Sequence, residues 1–130
     1  MRQRPLSPHL SIYRMTRYSL LSSFLNRATG ILLSLGLVAL VYWLTSLARG
    51  ARAYVGAQAV LGSLPLKLLY AGLLAAFAYH LIAGIRHLVW DTGRGMERAQ
   101  SQRSAWMVIA GAAVLAVVLI AFALRAREGA

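Results

Sequence analysis

The 130-residue chain is 59% hydrophobic and carries 14 lysines and arginines against 3 acidic residues, for a formal net charge of +11. Soluble domains are about 45–50% apolar, so this composition favours a membrane protein. Basic chains can bind nucleic acid, but here the basic residues separate apolar runs instead of lining a polar face, and we expect no nucleic-acid partner. The length fits one membrane-anchor domain over residues 1–130, and the lack of cysteine excludes disulfides and thiolate metal sites.

The N-terminal residues 1–22 are predicted to form a surface segment. Pro5 and Pro8 oppose an early helix. We expect the first helix to begin between Ser19 and Ser23, where a hydroxyl can cap the free backbone amides.

Three uncharged runs of 21, 18 and 21 residues follow, at 28–48, 68–85 and 104–124. A helix of 21 residues is roughly 31 Å long, which matches the hydrocarbon core of a bilayer. The runs show no alternation with a period of two, which excludes strands. The sequence therefore predicts an all-α membrane protein, an up-down bundle of three transmembrane helices at about 23–49, 62–90 and 103–125.

The basic residues are distributed unequally between the two sides of this bundle. Nine flank the predicted helices on the N-terminal side and five on the other. Since basic residues concentrate in cytoplasmic loops, we expect the N-terminus on the cytoplasmic side, or on the matrix side of a mitochondrial protein.

Ionisable residues form a stripe on the second predicted helix. His80, Gly84, His87 and Asp91 fall within about 60° of one another at 100° per residue. Ionisable side chains at membrane depth are costly and face protein, a cofactor or water rather than lipid. His80 is accordingly a candidate axial ligand of haem iron, and Gly84 would leave room for the macrocycle. His87 and Arg86 would then contact the propionates, whereas the alternative is that His80 only hydrogen-bonds a neighbouring helix.

One straight helix cannot supply both axial ligands. His80 and His87 are separated by about 10.5 Å along the helix axis. The two axial nitrogens of one metal lie only about 4 Å apart, taking bonds of roughly 2 Å as for zinc. A second histidine ligand is therefore expected from another chain.

A second polar face lies at the start of the first helix. Ser23, Asn26, Arg27 and Gly30 share that face, on the same side of the membrane as Arg86. Arg27 is interpreted either as a positively charged membrane anchor or as a ligand of a quinone headgroup. In the second interpretation Ser23 donates a hydrogen bond and Arg27 stabilises the charge that develops on reduction.

Three stretches of the chain resemble motifs of the cytochrome b subunits of succinate dehydrogenase, the larger of two membrane anchors of complex II. They are "RPLSPHLSIY", "SSFLNRATG" and "HLIAGIRHLVWDTG". Together with the three spans, the resemblance covers essentially the whole chain. It differs at Asn26, where the family usually has histidine. An amide does not titrate near pH 7, so proton delivery is not expected at this position.

The resemblance implies a role for each matching residue. His80 would be an axial ligand of haem b and bind its iron, with the other ligand supplied by the small anchor subunit. Ser23 and Arg27 match positions of the ubiquinone site, and Arg27 and His87 match positions near the propionates. The chain would be a non-catalytic subunit of a succinate:quinone oxidoreductase, in the lipid bilayer beside an iron–sulfur subunit and a flavoprotein subunit. It has neither a dinucleotide-binding glycine motif nor the cysteines of an iron–sulfur cluster.

The sequence leaves two alternative functions and two possible membranes. The chain could be the haem-free anchor of a fumarate reductase, or a small membrane transporter, although none of the three uncharged runs holds a carboxylate to couple ions. The lack of a presequence rich in arginine and serine favours a bacterial inner membrane, with the mitochondrial inner membrane as the alternative.

Overall fold

The computed structural model describes residues 17–128, which form four helices joined by short turns. The helices are α1 (Arg17–Ala48), α2 (Ala51–Leu61), α3 (Leu64–Asp91) and α4 (Arg98–Glu128). Three of them are long and apolar enough to cross a membrane, over Leu20–Ala48, Leu64–Asp91 and Arg98–Ala126. The predicted all-α membrane fold with three spanning helices is therefore confirmed. Of the predicted surface segment, residues 1–16 lie outside the described residues, while 17–22 already belong to α1.

The short helix α2 was not predicted. It has 11 residues and is about 16 Å long, too short to span a bilayer. It packs against the end of α1, where the rings of Trp43 and Tyr54 meet edge to face with centroids 6.3 Å apart. Its residues fall between the first two predicted helices, where the sequence predicts no membrane-spanning run.

Glycine and proline set the ends of the helices. Gly50 separates α1 from α2 with φ +96°, in the left-handed region that side chains other than glycine rarely adopt. Pro65 lies in the first turn of α3, where its missing amide hydrogen is not needed.

The three long helices run alternately up and down. A Cβ atom built on Gly30 of α1 would lie 3.2 Å from His80 Cε1 of α3, and one built on Gly36 would lie 2.8 Å from Leu73 Cδ2. Residue numbers thus rise along α1 as they fall along α3, so these two helices are antiparallel. Contacts of Arg86 with Ser104 and of Ile82 with Gly111 give the same relation between α3 and α4.

The interior of the bundle is built from small residues. Among the described residues, the buried hydrophobic ones are six alanines and one valine: Ala57, Ala76, Ala78, Ala83, Ala105, Val108 and Ala112. Small side chains let helix backbones approach closely, which is how helices associate where lipid removes the hydrophobic driving force. The large apolar side chains point outwards instead, as expected for surfaces that face lipid or another subunit.

Candidate functional site

The ring of His80 lies in the contact between α3 and α1. Its Nδ1 is 3.2 Å from the backbone carbonyl oxygen of Asn26 and 3.2 Å from Thr29 Oγ1. The Thr29 hydroxyl donates its own hydrogen to the Leu25 carbonyl oxygen at 2.7 Å, so it presents a lone pair to the histidine. Both groups near Nδ1 are therefore acceptors.

These two acceptors determine which ring nitrogen of His80 carries the proton. A carbonyl oxygen only accepts hydrogen bonds, so the contact with Asn26 requires a hydrogen on Nδ1. In the neutral ring Nε2 then keeps its lone pair, and within residues 17–128 it has no hydrogen-bond partner. Histidine ligands of metals are commonly held this way, with the second ring nitrogen donating to a carbonyl.

Two glycines leave space next to the His80 ring. Gly30 lets α1 approach the ring, because a Cβ atom there would lie 3.2 Å from His80 Cε1. A Cβ atom on Gly84, one turn beyond His80, would meet no atom within 4 Å. The face of α3 next to His80 is thus open in this chain, which fits a large flat group bound there.

The side chain of Asn26 holds an unsatisfied buried atom in the same region. Among the described residues, its Oδ1 is the one buried side-chain oxygen or nitrogen without a hydrogen-bond partner. Buried polar atoms are nearly always paired, so an orphaned one next to the His80 contact indicates that a polar group from outside the described residues completes the site.

Arg86 lies at the centre of a buried network that connects the three long helices. Its side chain is 7% exposed. Nη1 donates to Ser22 Oγ of α1 at 2.9 Å, and Nε donates to Ser104 Oγ of α4 at 2.9 Å. Nη2 donates to the backbone oxygen and the hydroxyl of Ser101, at 2.9 and 3.2 Å.

The guanidinium group of Arg86 also lies over an aromatic ring. Its Cζ atom is 4.1 Å from the ring centroid of Trp90, a cation–π contact. No carboxylate among the described residues pairs with this cation. The positive charge is therefore solvated by hydroxyl and carbonyl oxygens and by a π face, and it is not neutralised within the described chain.

The other predicted site residues are at the surface of the same end of the bundle. Ser23 is half-buried, and Arg27 and His87 are exposed. The His87 ring meets the Trp90 ring edge to face at a centroid distance of 5.2 Å. Neither Ser23 nor Arg27 bonds to another described side chain, so both are available to an external group.

The structure thus brings the two predicted faces together. The α1 turns that carry Ser23 and Arg27 lie beside the α3 segment that carries His80 and Arg86, because Ser22 bonds Arg86 and Asn26 bonds His80. Five residues of this region were not identified from the sequence: Ser22, Thr29, Trp90, Ser101 and Ser104. The serines lie far from Arg86 along the chain, and no spacing rule connects them.

Comparison with known proteins assigns the chain to a family. A family model described as the transmembrane subunit of succinate dehydrogenase/fumarate reductase matches residues 1–119. The chain is 40% identical over 117 residues to the succinate dehydrogenase cytochrome b556 subunit of Paracoccus denitrificans, which covers 90% of this chain and 89% of the relative. The cytochrome b556 subunit of Rickettsia conorii is 36% identical over 118 residues, 90% of each chain. The cytochrome b560 subunit of Reclinomonas americana is 41% identical over 101 residues, which is 72% of this chain and 68% of the relative.

These matches confirm the resemblance inferred from the three motifs, and they give no support to a transporter. The first two relatives align over about nine-tenths of their own length. The chain belongs to the succinate dehydrogenase/fumarate reductase transmembrane subunit family, as a membrane anchor subunit of the succinate dehydrogenase cytochrome b type.

Proposed function

We propose that the chain holds haem b with His80 as one axial ligand, bound to iron through Nε2. The observation that carries this proposal is the hydrogen bond from Nδ1 to the Asn26 carbonyl oxygen, which leaves the lone pair of Nε2 available to a metal. The open face at Gly84 supports it, and so do the relatives, which are named cytochrome b556 subunits. Haem supplies a one-electron redox centre when it is bound there.

Three side chains at this end of the bundle, those of Arg27, Arg86 and His87, can donate hydrogen bonds to the two propionates. Arg27 and His87 are exposed, so their ring or guanidinium hydrogens can reach an anionic group directly. Arg86 adds a buried positive charge that no carboxylate of the described chain neutralises, which favours an anion nearby. That Arg86 itself touches a propionate remains a prediction.

The second axial ligand is proposed to come from the small anchor subunit. His87 is seven residues beyond His80 on the same continuous helix, α3, about 10.5 Å along its axis. It therefore cannot approach the opposite side of the same iron. The remaining histidine of the chain, His9, lies outside the described residues.

Ser23 and Arg27 are proposed to bind the carbonyl groups of ubiquinone. The hydroxyl of Ser23 would donate to a carbonyl oxygen, and the guanidinium of Arg27 would stabilise the negative charge that forms as the quinone is reduced. The support is that both side chains lie at the end of α1 that faces Arg86 and His80, with no partner among the described residues.

In this proposal the chain performs no succinate chemistry. A flavoprotein subunit oxidises succinate, an iron–sulfur subunit delivers the electrons, and this chain holds the acceptors at the membrane. We place it in a bacterial inner membrane with its N-terminus on the cytoplasmic side, where the iron–sulfur subunit would dock.

The test is a set of variants in the assembled complex. We expect His80→Ala to abolish the reducible b-type Soret and α bands of purified membranes, whereas His87→Ala should retain them because it does not ligate iron. An unchanged spectrum in His80→Ala would exclude the ligand assignment. A wild-type complex without any b-type spectrum would instead favour the haem-free fumarate reductase anchor.

The quinone role is tested in the same preparations. Arg27→Ala should lower ubiquinone reduction by roughly a hundredfold, as loss of one charge-stabilising donor does elsewhere. Succinate oxidation with an artificial electron acceptor should be retained. Arg103→Ala is the matched control, since Arg103 is also exposed and lies on the same side of the bundle. Equal loss of both activities in Arg27→Ala would contradict the proposed role.

A further inference from the structure

Arg86 lies on α3, which carries the proposed haem ligand, and it contacts α1, which carries the proposed quinone ligands. Its hydrogen bonds reach Ser22 on α1 and Ser101 and Ser104 on α4, while its guanidinium stacks on Trp90 of its own helix, α3. Four of its five N–H groups are used in this way. Most of the hydrogen-bonding capacity of this side chain therefore joins helices, and one N–H is left for a ligand.

We propose that Arg86 is a positioning residue, which fixes the quinone-binding residues of α1 relative to the haem-binding residues of α3. The role rests on the function proposed above. Arg86 acts through two neighbours, Ser22 and Trp90, and each of these lies next to a proposed ligand group.

The first connection leads to the quinone residues. Arg86 Nη1 holds the side chain of Ser22 at 2.9 Å, and the Tyr79 hydroxyl donates to the backbone oxygen of the same serine at 3.3 Å. Ser22 is therefore tied to α3 through both its side chain and its backbone. Because Ser23 is the next residue and Arg27 follows about one turn later, the same contacts fix where both of them point.

The second connection leads to His87. The guanidinium of Arg86 covers one face of the Trp90 ring, and the His87 ring meets that indole edge to face at 5.2 Å. Trp90 Nε1 donates to the backbone oxygen of Gly95 at 3.0 Å, which attaches the same ring to the α3–α4 connection. Arg86 thus holds the indole against which His87 is oriented.

Arginine suits this role better than lysine. The planar guanidinium presents donors in three directions, so one side chain can bond α1 and α4 at once while its face lies on an indole. A lysine ammonium is a single compact donor atom and cannot reproduce that geometry. Arg86→Lys keeps the positive charge but removes the hydrogen bonds to α1 and α4 and the contact with the indole. The variant therefore distinguishes a positioning role from an effect of the charge alone.

The test uses the assembled complex with Arg86→Lys and, independently, the double variant Ser101→Ala/Ser104→Ala. The double variant leaves α1, α3 and every proposed ligand unchanged, and it removes two of the acceptors of Arg86. Arg103→Gln is the control, because it removes an exposed arginine next to Ser104. Amide hydrogen exchange over residues 20–26 measures how firmly this part of α1 is held against α3. The KM and kcat for a short-chain ubiquinone measure the proposed quinone site.

We expect both variants to speed exchange in residues 20–26 and to raise the KM for ubiquinone by roughly tenfold, since small displacements of positioning groups are costly. Turnover with an artificial acceptor should stay at the control level. Three outcomes would overturn the proposal: a higher KM in Arg86→Lys alone with unchanged exchange, which indicates direct quinone contact; faster exchange or poorer assembly with an unchanged KM; and no effect in either variant.

Arg27→Ala in the same assays separates this proposal from the function on which it rests. If Arg27→Ala impairs ubiquinone reduction while the Arg86 and serine variants behave like the control, the positioning role is wrong and the quinone site stands. If Arg27→Ala leaves ubiquinone kinetics unchanged, the proposed quinone site itself is wrong, whatever the exchange data show.

Discussion

At the scale of single residues, the environment of His80 depends on atoms that its own helix does not contain. The acceptors of Nδ1 are a backbone oxygen and a hydroxyl of α1, and Gly30 of α1 provides the space for the ring. The hydrogen bonding of the proposed ligand His80 therefore depends on residues of α1, about 50 positions earlier in the sequence. Two substitutions in α1 test this dependence.

Thr29→Val should raise the midpoint potential of the haem. The variant removes one acceptor of the Nδ1 hydrogen, leaves the Asn26 carbonyl in place and keeps the shape of the side chain. A weaker hydrogen bond at Nδ1 makes the imidazole less basic and stabilises the oxidised iron less. One lost hydrogen bond of about 0.5–1.5 kcal/mol corresponds to a shift on the order of tens of millivolts.

Redox titration of the α band measures this shift. Thr45→Val is the matched control, because the Thr45 hydroxyl also donates to backbone oxygens of its own helix but lies at the opposite end of α1. A lower potential in Thr29→Val, or an equal shift in both variants, would contradict the proposed hydrogen bond to the ligand.

Gly30→Val should displace the His80 ring. A Cβ atom at this position already comes within 3.2 Å of His80 Cε1, and valine adds two methyl groups on a stiff side chain. We expect loss of most of the haem absorbance per complex. Gly72→Val on α3 is the control, since a Cβ atom there would meet nothing within 4 Å. Full haem content in Gly30→Val would show that α1 does not confine the ring.

At the scale of helices, the long elements are predictable from the sequence and the short one is not. Charges that bound apolar runs fix the three spans, because placing arginine in hydrocarbon is costly. The helix α2 lacks such a signal, because its 11 residues are too few for a spanning run and its one charged residue, Arg52, lies at its start. Its existence is decided by packing on α1, which no local pattern reveals.

The candidate site divides in the same way. The histidine stripe of α3 and the polar face of α1 are visible as helical periodicities, so their residues are predictable. The partners of Arg86 are not, because Ser22 and Ser104 are 64 and 18 residues away from it along the chain. Serine at those positions resembles any other polar residue near a helix end until the three helices are assembled.

The contact between α3 and α4 depends on small side chains. Ala105, Val108 and Ala112 are buried and follow Ser101 and Ser104 at helical spacing, so they form the stripe of α4 that faces α3. Ala112→Leu should destabilise the complex by about 1–3 kcal/mol, because the added atoms have no room between the helices. Thermal loss of the haem spectrum in detergent measures it.

Ala113→Leu is the control for that substitution. Ala113 is the next residue along α4 and is exposed in this chain, so leucine there meets no neighbouring helix of the bundle. Equal melting temperatures for the Ala112 and Ala113 variants would show that the stripe is not close-packed.

At the scale of the whole molecule, the chain resembles one part of a larger assembly. Among the described residues no large side chain is fully buried, and many large apolar side chains are exposed along the three spans. Lipid can cover these surfaces, but Asn26 Oδ1 is buried without a hydrogen-bond partner among the described residues, and buried polar atoms are nearly always paired. The bundle therefore leaves this region to be completed by groups outside the described residues.

The charge distribution predicts an orientation of the bundle in the membrane, which can be tested directly. The N-terminal side carries nine basic residues and the other side five. Cytoplasmic loops retain lysine and arginine, so the α3–α4 connection at 92–97 should face the cytoplasm and the C-terminus the opposite side. Green fluorescent protein fused after Gly95 should fluoresce, whereas alkaline phosphatase should be active when it is fused after Ser63 or at the C-terminus. The reverse pattern would place Ser23 and Arg27 on the side away from the cytoplasm, where an iron–sulfur subunit docked on the cytoplasmic face could not deliver electrons to a quinone beside them.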